Sequence, residues 1–286
     1  MRDSNDRDLW WLHGSFPFVD SLTSLPWGIL VVGWLVFALA VAAISRWAVR
    51  RLVPSEERDH VQGIAAPLMP ALGATFAILM ALTLASEAGY LRAAQDLVSD
   101  EAGGASRLAW AATGPGIGTA SIHAALIDYL QLTREREWQR PSADESSDPD
   151  VANALAELER AVRLEAVRPE VVTPVGTELL ASLDMLTTGR RIRLAAASRE
   201  LPLLYVITLV ASGVALIANA GALTFRSSLR TSLLLVGLAG VVGLSLALLF
   251  ALSAPWEGAL TVSGQPIDAI VRDIRDGFFQ ATAGLR

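Results

Sequence analysis

The sequence predicts an all-α integral membrane protein with four transmembrane helices in two hairpins and a helical extramembrane domain between spans two and three. Three observations support this prediction. Hydrophobic residues make up 52% of the chain and charged residues only 18%, whereas soluble domains usually carry about 25% charged residues. The apolar residues are concentrated in four long uncharged runs. A charged segment without strand-like alternation separates the second run from the third.

Each uncharged run is long enough to cross a bilayer as a helix. The runs cover residues 21–45, 61–86, 201–225 and 231–256. A hydrocarbon core about 30 Å thick needs roughly 20 helical residues, so all four qualify. Trp27 and Trp47 bracket the first span and Trp256 closes the fourth, which fits the preference of amphipathic rings for the headgroup level.

The runs and their flanks divide the chain into five segments. The acidic first segment lacks the short basic start of a signal peptide. We interpret it as interfacial, with an oligomer contact as the alternative, on its aromatic residues Trp10, Trp11, Phe16 and Phe18. The predicted boundaries are 1–26 for this N-terminal segment, 27–86 for hairpin 1 (spans about 27–46 and 62–86), 87–200 for the extramembrane domain, 201–256 for hairpin 2 (spans about 201–225 and 231–254) and 257–286 for a C-terminal tail.

Small residues recur at every fourth position in two of the spans. Such a stripe lets helix backbones approach closely inside a membrane. One interpretation is a face that lines a pathway or contacts another subunit, and the other is ordinary packing within one subunit. The stripes consist of Gly73, Ala77, Ala81 and Ala85 in span two, and of Ala239, Gly243, Ala247 and Ala251 in span four.

The segment 87–200 carries the net charge of the whole chain. It contains 12 Arg and 18 acidic residues, and 12 − 18 = −6, which equals the formal charge of the protein. An acidic domain argues against a nucleic-acid partner, which would require a basic face. The acidic surface of this segment is typical of a domain that is exposed to water.

This segment is also expected to be helical throughout. Span two should continue out of the membrane until the Gly114-Pro115-Gly116 break. A second helix is predicted over 119–140, and Asp148 with Pro149 should start a third that ends near Pro169. A fourth helix should begin near Thr173 and run directly into span three. The apolar face expected on the second helix consists of Ile122, Leu126, Tyr129 and Leu130.

The candidate functional residues lie on span two and at the entry to span three. Glu87 is the first charge after span two, where ionisable groups often control ion entry. Three arginines before span three are expected to gather anions, pair with Glu87 or anchor at headgroups. The pathway candidates are Gly73, Phe76, Ala77, Met80, Thr83 and Glu87, and the anion or headgroup candidates are Arg190, Arg191 and Arg193.

Several kinds of chemistry find no support in the sequence. The chain has no Cys, and its three His residues show no metal-ligand spacing, so we expect neither a metal site nor another cofactor. The glycine-rich stretch at 114–118 lacks the Lys and the preceding strand of a phosphate loop. Since no nucleophile, acid or base is arranged for catalysis, the protein is not expected to be an enzyme. Asn219 is the one amide in span three and should face another helix or a water-filled space.

A set of motifs, in their order along the chain, resembles the bacterial bestrophin-like domain proteins, a family of unassigned biochemical function. The resemblance covers about residues 46–275 and rests on their order and spacing, since no single motif is specific. The motifs are Glu87-Ala88-Gly89-Tyr90, Glu101-Ala102, Glu137-Trp138, Arg190-Arg191-Ile192-Arg193-Leu194, Leu201-Pro202 and Ala254-Pro255-Trp256-Glu257-Gly258.

The resemblance implies a multi-pass protein of the bacterial inner membrane, distantly similar to bestrophins. Bestrophins are pentameric anion channels with four spans and a cytosolic helical domain. On this basis we expect a homo-oligomer that conducts small ions, anions first among them, along a path lined by span two. The alternative is a non-conducting membrane scaffold or sensor whose middle domain binds a protein partner. In span two, Phe76 is the one aromatic residue, which departs from the aromatic-rich neck of bestrophins.

The arginines near the spans leave the orientation open. The loop between spans one and two contains four arginines and the one between spans three and four contains two, which favours cytoplasmic hairpin loops. A bestrophin has the opposite orientation, and the arginines at 190–199 favour that one. The loop arginines are Arg46, Arg50, Arg51, Arg58, Arg226 and Arg230.

Overall fold

The computed structural model describes residues 26–138, 148–197, 202–225, 229–253, 255–256 and 260–283. The predicted N-terminal interfacial segment therefore lies almost wholly outside the described residues. The described chain divides into two compact units. The first comprises Met1–Gly89 and Glu200–Leu260, and the second comprises Tyr90–Arg199 and Thr261–Arg286.

Within the described residues, the regular structure is helical, as the sequence predicts. The helices are α1 (Trp27–Leu52), α2 (Arg58–Ala111), α3 (Thr119–Leu132), a π-helical turn (Thr133–Glu137), α4 (Pro149–Ala166), α5 (Thr173–Ala197), α6 (Leu203–Leu223), α7 (Leu229–Leu252), α8 (Gln265–Arg275) and α9 (Phe278–Ala283).

Four of these helices are long and apolar enough to cross a membrane, which confirms the four predicted spans. They are α1, α2, α6 and α7. Helix α2 has 54 residues, more than twice the length that a crossing requires, so span two does continue as a helix beyond the bilayer. Pro67 and Pro70 lie inside it without ending it.

The first unit is held together by apolar packing among the four spans. Its core includes Phe76 and Met80 from α2 and a larger set from α1, α6 and α7. A Cβ added to Gly243 of α7 would lie 2.9 Å from the backbone oxygen of Trp34 on α1, so the two backbones approach closely there. Because Ala239, Ala247 and Ala251 are fully buried as well, the span-four stripe serves packing within the subunit.

Polar groups inside the spans find partners on neighbouring helices. The Asn219 amide donates to the backbone oxygen of Ala65, 2.9 Å away on α2, which confirms the expectation for this residue. The Ser45 hydroxyl donates to the backbone oxygen of Ala218 at 2.6 Å. Since an unsatisfied polar group in hydrocarbon is costly, these bonds help to fix how the spans pack.

The second unit confirms several local predictions. Asp148 accepts a hydrogen bond from the backbone amide of Asp150, and Pro149 is the first residue of α4. Helix α2 ends at Ala111, and Gly116 follows with φ +84°, a conformation that favours glycine. The predicted apolar face of α3 is fully buried, with Ile122, Leu126, Tyr129 and Leu130 each at 0% exposure.

Two predicted helices differ in the structure. Helix α5 does not run directly into span three, because Pro202 has an extended backbone (ψ 121°) and α6 begins only at Leu203. Proline lacks the amide donor that a helix interior needs, so the helix restarts after it. The helix predicted over 119–140 ends at Leu132 and changes to a π-helical turn, Thr133–Glu137.

Candidate functional site

The second unit contains four charged side chains that are buried together and compensate one another. We call Glu101, Glu137, Arg190 and Arg193 the charge cluster. Their side chains are between 0% and 9% exposed. Two carboxylates face two guanidinium groups, so the cluster is formally neutral. Buried charges persist only when they are paired and hydrogen-bonded, and this arrangement meets both conditions.

Arg193 lies at the centre of the charge cluster. Its Nε donates to Glu101 Oε2 at 2.5 Å, and its Nη2 donates to Glu137 Oε2 at 2.9 Å. Arg190 Nη2 donates to the other oxygen of Glu137. Tyr129 is fully buried, and its hydroxyl donates to Glu101 Oε1 at 3.0 Å. Each carboxylate therefore accepts hydrogen bonds from two donor groups.

Glycines and an aromatic ring position the charge cluster. A Cβ on Gly189 of α5 would lie 3.1 Å from Glu101 Cα on α2, and one on Gly104 would lie 3.0 Å from the backbone of Leu186. A side chain at either position would crowd the facing backbone, so the two glycines favour the close approach of α2 and α5. The Arg193 guanidinium lies 5.5 Å from the centroid of the Trp138 ring, within reach of a cation–π interaction.

Burial and neighbouring charges shift the pKa values of Arg193 and of Tyr129 beside the charge cluster. Burial by itself would lower the pKa of Arg193, but the Coulombic attraction and hydrogen bond of Glu101 outweigh it and raise that pKa. Burial, reinforced by the charge of Glu101, raises the pKa of Tyr129 well above its usual value. Since all four charges are satisfied internally, the charge cluster is suited to joining α2, α5 and the π-helical turn rather than to binding substrate.

The raised pKa of Tyr129 predicts how the second unit responds to alkali. An unfolded tyrosine ionises near pH 10, whereas folded Tyr129 holds its proton to higher pH. Its contribution to stability is therefore complete below pH 10 and is lost as pH rises towards the folded pKa. We expect Tyr129→Phe to lower the melting temperature at neutral pH and the difference from wild type to shrink above pH 10.

Thermal unfolding of the purified full-length protein across pH measures this effect. Tyr205→Phe is the matched control, because Tyr205 is 62% exposed and lies in the first unit. A difference between wild type and Tyr129→Phe that stays constant above pH 10 would contradict the prediction.

The structure pairs the arginines before span three with residues that the sequence hypothesis did not include. Arg190 and Arg193 bind Glu137 and Glu101, and Arg193 is only 2% exposed. Arg191 is exposed and donates to the backbone oxygen of Thr187. Both Glu101 and Glu137 stand in the motifs that carried the family resemblance. Their role was missed because sequence spacing does not show which residues of different helices meet.

The six pathway candidates on α2 lie on different sides of the helix. Phe76 and Met80 are buried in the core of the first unit, and the Phe76 ring packs next to Gly213 of α6. Ala77 is exposed, and a Cβ on Gly73 would meet no atom within 4 Å. The Thr83 hydroxyl is partly buried and bonds back to the Leu79 oxygen. At the end of the span, Glu87 is 3% exposed.

The span-two stripe differs from the span-four stripe in its surroundings. Ala77, Ala81 and Ala85 are exposed and Gly73 is half-buried, whereas the alanines of span four are fully buried. Among the described residues of the first unit, the small-residue side of α2 therefore has no packing partner. A face of this kind permits close approach by another helix in a membrane.

Comparison with known proteins gave two matches. The model of the bestrophin-like domain matches residues 36–267. The fold is similar to the crystal structure of a bacterial bestrophin homologue from Klebsiella pneumoniae that carries a point mutation. The TM-score is 0.67 at 16% sequence identity, and the match covers 86% of this chain and 99% of the other. No curated protein matches the sequence significantly.

Proposed function

Since this chain belongs to the bestrophin-like domain family, we propose that it is a homo-oligomeric, channel-like protein that conducts small ions along a path lined by α2. Its place would be the bacterial inner membrane, as a multi-pass protein. Because bestrophins are anion channels, chloride is the first ion to test. The path would run along the exposed side of α2, past Gly73 and Ala77 and beside the half-buried Thr83, and Glu87 would act on it from a buried position at the end of the span.

The exposed span-two stripe is the observation that carries this proposal. A helix that faces only lipid gains nothing from small residues, whereas one that packs against a neighbouring subunit or borders a narrow path needs them. Packing among the four spans already buries the span-four stripe. The span-two stripe stays exposed in the single chain, so it could contact another subunit. Copies of α2 from several subunits, arranged around one axis, would use it.

In the proposed channel, Phe76 and Met80 lie on the side of α2 that faces away from the path. They were predicted to line it, but in the folded chain their side chains pack in the core of their own unit. From there they would set the position of α2 rather than contact ions. Variants at these two positions should therefore change stability before they change ion selectivity.

Ion flux in liposomes tests the proposal. We expect purified protein to conduct chloride, and we expect Glu87→Gln to change conductance or selectivity, because it removes a charge at the end of the span. The control is Glu56→Gln, which removes an exposed carboxylate from the loop before α2. A well-folded oligomer that passes no ion under varied salt and voltage would refute the channel proposal.

A second candidate function has one observation in its favour. The second unit exposes several large apolar side chains, and a contiguous patch of such side chains would mark a binding surface. These exposed side chains include Trp110, Leu164, Val167, Val172, Leu180 and Met185. A scaffold or sensor would use them to bind a protein partner, and a homo-oligomer would use them between its own copies. Crosslinking that captures a specific foreign protein, without ion flux, favours the scaffold.

A further inference from the structure

The arginines near the hairpin loops of the first unit differ from those of the charge cluster in their partners. Arg46, Arg50 and Arg58 all donate to neutral oxygen atoms, namely a serine hydroxyl and backbone carbonyls. Within the described part of the chain, none of the three forms an ion pair. A neutral acceptor fixes the position of a guanidinium group but leaves its positive charge uncompensated.

Two of these guanidinium groups are held in place by the other hairpin. Nε and Nη2 of Arg50 both donate to the backbone oxygen of Phe225, at 3.0 and 2.7 Å. Arg46 Nη1 donates to the Ser232 hydroxyl at 2.7 Å. Each guanidinium has five N–H donors, so three remain on Arg50 and four on Arg46. The two residues stand four apart on α1 and therefore project from one side of the helix.

The position of these arginines along α1 matches the phosphate level of a bilayer. Trp27 and Trp47 lie 20 residues apart on α1, which corresponds to about 30 Å along a helix, the thickness of the hydrocarbon core. Both rings are exposed, at 39% and 60%, as expected for an aromatic belt. Arg46 precedes Trp47 directly and Arg50 lies one turn beyond it, so both are at the headgroup level.

The surrounding sequence is basic at this end of the first unit. Residues 46–60 contain four Arg and three acids, and residues 226–230 contain two Arg and no acid, so 6 − 3 = +3. This local excess of positive charge attracts anionic lipids. Guanidinium groups that are held in fixed positions also provide directed hydrogen bonds to the phosphate oxygens.

We propose that Arg46 and Arg50 form a binding site for the phosphate group of an anionic phospholipid, in the leaflet that faces the hairpin loops. The remaining N–H donors would bind the phosphate oxygens, and the acyl chains would lie along the exposed apolar side of α1. A bound lipid would stabilise the contact between hairpin 1 and hairpin 2, because both arginines of hairpin 1 already donate to residues of hairpin 2. The protein would bind this lipid whether or not it conducts ions.

Native mass spectrometry of the full-length protein in detergent, titrated with phosphatidylglycerol or phosphatidylcholine, tests the proposal. We expect preferential binding of phosphatidylglycerol. An arginine near an anionic surface contributes about fivefold in affinity, so Arg46→Gln and Arg50→Gln should each weaken binding about fivefold and the double variant at least about tenfold. The double Lys variant, which keeps both charges, should bind within about threefold of wild type.

Arg51→Gln is the matched control, because Arg51 is exposed in the same turn and makes no hydrogen bond through its side chain among the described residues. It should change binding less than either single variant. Equal binding of both lipids, or a double Gln variant that binds phosphatidylglycerol like wild type, would overturn the proposal. Soluble glycerol phosphate that competes at the same concentration as the lipid would show a site for free phosphate instead. If the double variant does not fold, the single variants test the proposal, and binding of phosphatidylglycerol like wild type by both of them would overturn it.

Discussion

Glu101→Gln is expected to destabilise the second unit by about 3–5 kcal/mol, because it leaves the Arg193 guanidinium buried beside a neutral side chain. Arg193 is 2% exposed, so its guanidinium group is shielded from bulk water. Among the described residues, Glu137 would remain as its one carboxylate partner, and Glu137 already binds Arg190. For a chain of this size, such a loss corresponds to a decrease in melting temperature on the order of 10 °C.

A charge-balanced double variant separates the cost of an unpaired charge from the loss of the pair. The double variant Glu101→Leu, Arg193→Met removes both charges and fills their space with apolar side chains. It should recover at least half of the stability lost in Glu101→Gln. The control is Glu178→Gln, which removes a carboxylate from an exposed ion pair of the same unit and should leave the melting temperature nearly unchanged. Equal melting temperatures for Glu101→Gln and Glu178→Gln would show that the charge cluster does not stabilise the fold.

Ala77→Trp is expected to reduce ion flux at least about tenfold, with little effect on folding of the single chain. Ala77 is exposed on the span-two stripe, so the ring meets no atom of its own subunit's core. In the proposed assembly the ring would project into the path or separate neighbouring copies of α2, and a narrow passage depends steeply on its width. Liposome flux measured per reconstituted oligomer gives the size of the effect.

Two further variants make the result interpretable. Val36→Trp adds the same ring to an exposed position of α1 and should leave flux unchanged, since α1 has no place in the proposed path. Met80→Ala empties a position in the core of the first unit and should lower stability by about 2–5 kcal/mol. Unchanged flux in Ala77→Trp, with the oligomer intact, would place the path elsewhere or remove it.

The elements of this fold that depend on local sequence could be predicted. Four uncharged runs determine the spans, Asp148 with Pro149 determines the start of α4, and glycines determine the end of α2. Each of these signals acts within a few residues, so composition and spacing suffice. The same holds for Asn219, since an amide inside a span must find a partner on another helix.

The features that were missed depend on contacts between distant residues. Arg193 and Glu101 are 92 residues apart, and nothing in their spacing marks them as a pair. Likewise, a stripe of small residues looks the same in α2 and α7, although only the stripe in α7 is buried within the subunit. The family resemblance pointed to Glu101, Glu137 and the arginines as motifs, but their common location became evident only in the folded chain.

The π-helical turn at Thr133–Glu137 has a consequence for how this chain and its relatives diverge. A π-turn holds one residue more than the α-helical path that it replaces, so it behaves as a single-residue insertion within a helix. Deleting one residue within the turn, before Glu137, would restore the regular helix and leave Glu137 close to its present position, because the wider turn is what accommodates the extra residue. A one-residue gap at this point in a related sequence would therefore be compatible with a carboxylate that still joins the two arginines.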